Sequence, residues 1–149
     1  MASTLSTGNL VVTISEQISS NGETFNFSNQ LTLSNIKPFS PRVMTIPVSE
    51  VTVIAFGAAV AAGTYVAANV KYIRITNKDD TNFIRVRVTK ASSQTFDVKI
   101  EAGKSIIMGN VKESANTGGG AFSAFVDADN ISAQADTAVC DIEYFIASI

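Results

Sequence analysis

The sequence predicts an all-β chain: a single-domain antiparallel β-sandwich over residues 1–149, jelly-roll-like and with little helix, behind a flexible N-terminal arm at residues 1–8. Three observations carry that expectation. Apolar side chains recur at every second position along most of the chain, the period of half-buried strands. The alternating runs are short and separated by clusters of Asn, Gly, Asp, Ser and Pro, the residues that turn a chain. Helical periodicity is nearly missing. Closely spaced strands with so little helix mean a sandwich or a barrel.

The first run places Leu10, Val12, Ile14 and Ile18 on one face and Val11, Thr13, Ser15 and Gln17 on the other. Glu16 interrupts the apolar face, so a bulge or a strand end is expected near it. Asn21-Gly22 follows, supplying the positive φ angles of a tight hairpin. Phe25, Phe27, Leu31 and Leu33 then alternate with polar residues, and the two runs read as a hairpin. Pro38 and Pro41 punctuate the next connection. Met44, Ile46 and Val48 alternate around Pro47, which cannot donate to a ladder, so that strand is expected at an edge or to break there. Val51–Phe56 reads as a buried strand, and Gly57–Asn69 as a short helix or a close-packed loop.

Ile73 and Ile75 come next, with Tyr72, Arg74 and Thr76 on the opposite face. Asn77–Asn82 is expected to close a hairpin, whose return strand carries Ile84, Val86 and Val88 inward and Phe83, Arg85, Arg87 and Thr89 outward. Phe96, Val98 and Ile100 alternate in the following strand, and Ala102–Lys104 turns the chain into Ser105–Met108. Asn116–Gly120 reads as a flexible loop. Ala121–Val126, Ile131–Ala135 and Val139–Ile146 read as the last strands. The apolar end Tyr144–Ile149 is expected in a core strand or against a neighbouring subunit.

Composition narrows the function. The chain is 46% hydrophobic and 16% charged, too apolar for a disordered segment. A net charge of −2 gives no reason to expect nucleic acid as a partner. There is no histidine, which removes Ser-His-Asp and Cys-His machinery and His-ligated zinc. One cysteine, Cys140, excludes an intrachain disulfide and is expected to be a buried, inert thiol. Met1–Asn9 is polar and the first basic residue is Lys37, so a secretory leader is not expected. Val51–Val70 lacks charge over a bilayer's span, but its Ala, Gly, Thr and Asn content favours a strand and loop over a membrane helix. No membrane partner, cofactor or small-molecule ligand is expected.

Several residue groups have the flavour of sites. Gly103-Lys104-Ser105 resembles the end of a phosphate loop, but Val98 stands where the first glycine belongs, and a hairpin turn is the better reading. Asp127, Asp129 and Asn130 suggest a calcium loop, yet Ser132 and Ala138 replace its glycine and glutamate, so an ordinary loop without metal is expected. The carboxylate pairs Asp79–Asp80 and Asp127–Asp129 lack an aromatic sugar groove, and no catalytic residue is assigned. Arg74, Arg85 and Arg87 are expected on one face of the central hairpin, as a possible partner-contact patch. Asp97 and Glu101 on the next strand would neutralise that patch by cross-strand pairing.

The stretches Lys71–Val86 (KYIRITNKDDTNFIRV) and Phe96–Asn110 (FDVKIEAGKSIIMGN) resemble a pattern in small virion proteins of tailed bacteriophages, especially marine ones. The opening hairpin and the edge strand with Pro47 are similar in layout. The resemblance implies a non-enzymatic building block of the particle, assembled in the host cytoplasm, homo-oligomeric, and partnered by major capsid or tail proteins. An outer capsid decoration or cement protein is the first expectation, and a tail, neck or fibre component the second. A tail tube would need a long hairpin with a polar lumen face, for which Arg74–Arg87 is the candidate. A carbohydrate- or cell-surface-binding module is a third reading, with Phe39, Tyr65 and Phe122 as its aromatic platform.

Overall fold

Two long runs of alternating residues open the chain, and in the computed structural model they pair as an antiparallel ribbon, β1 (Gly8–Ser20) with β2 (Glu23–Ile36). Residues 6–90, 94–109, 114–115, 123–124 and 128–149 are described. The chain divides into two compact units, Met1–Lys37 and Pro38–Ile149. In the first, Ser20 pairs with Glu23 across a two-residue turn in which Asn21 (φ 53°) and Gly22 (φ 81°) both take positive φ. Both central residues of a type I′ turn need that conformation, and its twist matches the strands it joins. The irregularity expected at Glu16 is not there. Glu16 pairs with Phe27 in unbroken register, and the shift lies between Gly8 and Leu10. Glu16 stays exposed, so its charge costs no burial and needs no bulge to remove it.

The second unit contains β3 (Phe39–Ile46), β4 (Val51–Phe56), β5 (Thr64–Tyr65), β6 (Val70–Asn77), β7 (Ile84–Lys90), β8 (Gln94–Ile100) and β9 (Ser105–Met108). The two-residue pair β10 (Ser114–Ala115) and β11 (Ser123–Ala124) follows, then β12 (Ala128–Ala135) and β13 (Cys140–Ser148). Sheet I has the order β3-β13-β6-β9, and sheet II the order β5-β4-β12-β7-β8. Without the short β5, the eight main strands run 1-8-3-6 in sheet I and 2-7-4-5 in sheet II. That interleaving is a jelly roll, two Greek keys wound into a two-sheet sandwich.

Alternation supplies the core. Ile46, Ile73, Ile75, Ile142, Tyr144 and Ile146 from sheet I meet Ile54, Ile84, Val86, Ile131 and Ala133 from sheet II, each at 1% exposure or less. Near the end of the inner strand β13, Tyr144, Ile146, Ala147 and Ser148 are buried, and Phe145 is half-buried. β3 carries Pro41, stops before Pro47 and lies at a sheet edge, where a missing N–H breaks no ladder. The uncharged stretch Val51–Val70 divides into β4, a loop with the two-residue β5, and a 3-10 turn at Ala67–Asn69. Among the described residues no helix is long and apolar enough to cross a membrane.

Two expectations about connectivity are overturned. Asn77–Asn82 does not close a hairpin: β6 lies in sheet I and β7 in sheet II, so the segment carries the chain across the sandwich. Gly103 (φ 67°) sits in a turn, but that turn too crosses between sheets, from β8 to β9. Either connection buries the same apolar positions, which is why alternation cannot tell them apart. Asp129 and Asn130, expected in a loop, belong to β12, with Asn130 paired to Ala55 and Thr89. Asp127, the Asn116–Gly120 loop, Phe122 and most of Ala121–Val126 lie outside the described residues.

Candidate interaction surfaces

Each sheet turns one face to the core and one outward, and the two outward faces differ in chemistry. On sheet II, the residues paired across β12, β7 and β8 place Ser132 beside Arg87 and Arg87 beside Asp97. Arg87 donates to Asp97 from Nε (2.7 Å) and Nη2 (2.9 Å), a bidentate fork. Glu50, in the β3–β4 connection, closes the network. Its Oε2 accepts from Arg85 and from Arg87 Nη1 (3.0 Å), and its Oε1 accepts from Ser132 Oγ (2.6 Å). The Arg87 hydrogen bonds hold the Asp97 carboxyl below its usual range. Alongside, Lys99 pairs with Glu101 (2.6 Å) and covers the Phe83 ring at 4.2 Å. Both arginines of this face have internal carboxylate partners, while the buried Arg85 Nε has no hydrogen-bond partner.

Sheet I presents the opposite. Phe39 (62% exposed) and Val43 (65%) stand on the outer face of β3, on either side of Pro41. Phe145 on β13 lies between Phe39 (centroids 6.2 Å apart) and Tyr72 of β6 (6.0 Å). Ile107 on β9 extends the apolar surface past Arg74, its ladder partner. Arg74 is tied to Glu143 and to Thr76, whose hydroxyl shares a hydrogen bond with Ser105 (2.8 Å). That contact with Arg74 pulls the Glu143 carboxyl below its ordinary value. The Tyr72 ring is buried, its hydroxyl pKa raised by desolvation, and it lies against the backbone of Gly109. This face is an aromatic and aliphatic strip with the Arg74–Glu143 ion pair among its residues.

The arginine patch expected on one face therefore does not form. Arg74 lies on sheet I, and Arg85 and Arg87 on sheet II, because the connection between β6 and β7 crosses the sandwich. The neutralisation expected from Asp97 does occur, while Glu101 serves Lys99 instead, and Glu50 and Glu143 are partners that alternation could not supply. The aromatic platform is also dispersed: Phe39 is exposed, but Tyr65 is a core residue at 6% exposure.

The Asp79–Asp80 pair is a corner rather than an acid–base dyad. Asp79 Oδ1 accepts from the backbone N–H of Asn82 (2.6 Å) and Thr81 (2.8 Å), and these bonds lower its pKa. Asn77, fully buried, donates from Nδ2 to the Asn82 carbonyl (2.8 Å) and the Ile100 carbonyl (3.2 Å), and accepts from Asp79 N–H (3.0 Å). Cys140 is buried below it, and burial raises its thiol pKa. Alternation found the core but passed over the sheet I strip. Its signal was present in strands apolar at both parities: Val43 beside Met44, Phe145 beside Ile146, Ile107 beside Ile106.

The Met1–Lys37 unit has its own two faces. Leu10, Val12, Ile14, Ile18, Phe25, Phe27, Leu31 and Leu33 share one face with Glu16 and Asn29. Thr13, Ser15, Gln17, Asn26, Ser28 and Gln30 share the other, linked by bonds such as Gln17 Nε2 to Asn26 Oδ1 (2.9 Å). Comparison with protein-family models, curated proteins and solved structures finds no match to the chain.

Proposed function

We propose that this chain is a non-enzymatic structural protein of a tailed-phage virion, working by docking, most simply as an outer capsid decoration or cement protein. The observation that supports this best is the asymmetry of the sandwich. The sheet II outer face closes its arginines in internal ion pairs, whereas sheet I leaves Phe39, Val43 and Ile107 exposed around a half-buried Phe145. Apolar strips of this kind mark contact with other proteins. The jelly roll is a fold shared by capsid and lectin domains, which is an analogy of architecture and not of function. The resemblance of Lys71–Val86 and Phe96–Asn110 to small virion proteins supplies the particle.

A tail, neck or fibre component is the alternative, and the length and polar face of the β1–β2 ribbon favour it. Immunogold labelling of virions that carry this chain tests both. Gold on the heads is the expected result, gold on tails selects the alternative, and absence of the chain from disrupted particles refutes the virion reading. In reconstituted particles, Val43→Asp should lower occupancy without changing the thermal melt of the isolated protein.

A further inference from the structure

The β1–β2 ribbon carries an apolar face that a two-stranded hairpin cannot bury by itself. Ile14 (47% exposed), Ile18, Phe25, Phe27 (58%) and Leu31 all stand open on that one face. Five such side chains, each about half exposed, leave roughly 500 Å² of apolar surface. We propose that this face is covered by the same face of a second copy of the chain, making a two-fold contact between hairpins.

Three features point to a second copy. The first is area: the face contributed twice gives about 1,000 Å², the size at which a specific interface begins. The second is polarity. Glu16 is the one charge in the apolar middle of the face, Glu23 lying on the same face at the turn end, and Asn29, paired with Ile14, belongs to the next pair along that face. An amide from one copy can therefore meet the carboxylate of the other, and no cation is needed; residues 1–36 contain neither Lys nor Arg. The third is the state of the edges. The sandwich blunts its edges with Pro41 in β3, with the two-residue β5, with the four-residue β9 and with charged Asp97 and Lys99 in β8. The 13 and 14 residues of β1 and β2 contain no Pro, Lys or Arg, and Glu16 and Glu23 are their only charges, so the ribbon lacks the proline and cation guards of the sandwich edges.

The contact is independent of the virion reading, since it concerns only how the chain meets itself. Sedimentation equilibrium of the full chain from about 1 to 100 μM tests it with two near-isosteric variants of opposite sign. Glu16→Gln removes the buried charge and should tighten the dimer about tenfold, whereas Asn29→Asp places a second carboxylate against it and should loosen it about tenfold. Gln17→Glu, on the polar face, should leave the association unchanged. Phe27→Glu should abolish the dimer while the sandwich keeps its urea midpoint. A wild-type chain monomeric at 100 μM overturns the proposal, and so does a dimer indifferent to both Glu16→Gln and Asn29→Asp. Monomeric chain whose Phe27 variant loses stability would place the face on its own sandwich and also refute the contact.

Discussion

Replacing Asn77 by alanine should destabilise the sandwich by about 3 kcal/mol. The side chain is fully buried and makes three hydrogen bonds, to the Asn82 and Ile100 carbonyls and from the Asp79 N–H. Alanine leaves those groups without their partner in the buried interior. Each lost bond costs about 1 kcal/mol, and more where the orphaned group stays dry. A chain of this size loses about 3 °C in Tm per kcal/mol, so a fall of about 10 °C is expected. Urea melts followed by far-UV circular dichroism give the change as a lower midpoint at constant slope. Asn77→Asp provides the control for mechanism. It keeps the acceptor for Asp79 N–H but turns both donors into a carboxylate facing two carbonyls, so it should cost at least as much as alanine. A loss under 1 kcal/mol for alanine, or a wild-type midpoint for aspartate, would refute the view that this amide holds the crossing between sheets.

Further outcomes test the surfaces. Glu50→Gln leaves Arg85 and Arg87 with only Asp97 and should cost about 1 kcal/mol, a difference that shrinks in 1 M NaCl because the network is partly exposed. Asp79, Asp97 and Glu143 all have lowered pKa values, held down respectively by the Asn82 and Thr81 backbone donors, by Arg87 and by Arg74. A depressed folded pKa adds stability above the unfolded value and loses it as pH falls through the folded one, so the urea midpoint should stay level between about pH 5 and about pH 8 and drop below about pH 4. A midpoint flat to pH 2.5 would contradict it. At Gly109, a Cβ would come within 2.7 Å of the buried Tyr72 ring, so Gly109→Ala should cost about 1–3 kcal/mol and alter the near-UV spectrum; an unchanged melt would show that the ring can yield.

Much of the fold was legible in alternation alone. Ile73, Ile75, Ile84, Val86, Ile131, Ile142 and Ile146 fall inward as their parity requires, and Asn21-Gly22 turns the opening hairpin as its φ preference requires. Pro47 marks both the end and the edge position of its strand, as its missing donor requires: β3 stops at Ile46 and lies at the edge of sheet I. Parity is silent, however, about which strand a neighbour in sequence will pair with. Ile75 and Ile84 face the same core whether their strands share a ladder or lie in opposite sheets. The deciding signal was Asn77 itself, an amide at an inward position of its strand, which needs partners that a surface hairpin turn does not supply.

That one misassigned connection propagates to function. If β6 and β7 shared a sheet, Arg74, Arg85 and Arg87 would form a single cationic patch and would suggest an acidic partner. With the crossing in place the cations separate: Arg74 is held by Glu143 at the centre of an apolar strip, and Arg85 and Arg87 are locked by Glu50 and Asp97. Arg87, forked onto Asp97, has little attraction left for a second anion, because the exchange would trade one bidentate pair for another. The surface left to do work is then the uncharged one. Phe39, Val43, Ile107 and Phe145 can gain from contact with another protein what Arg85 and Arg87 have already gained from their own chain.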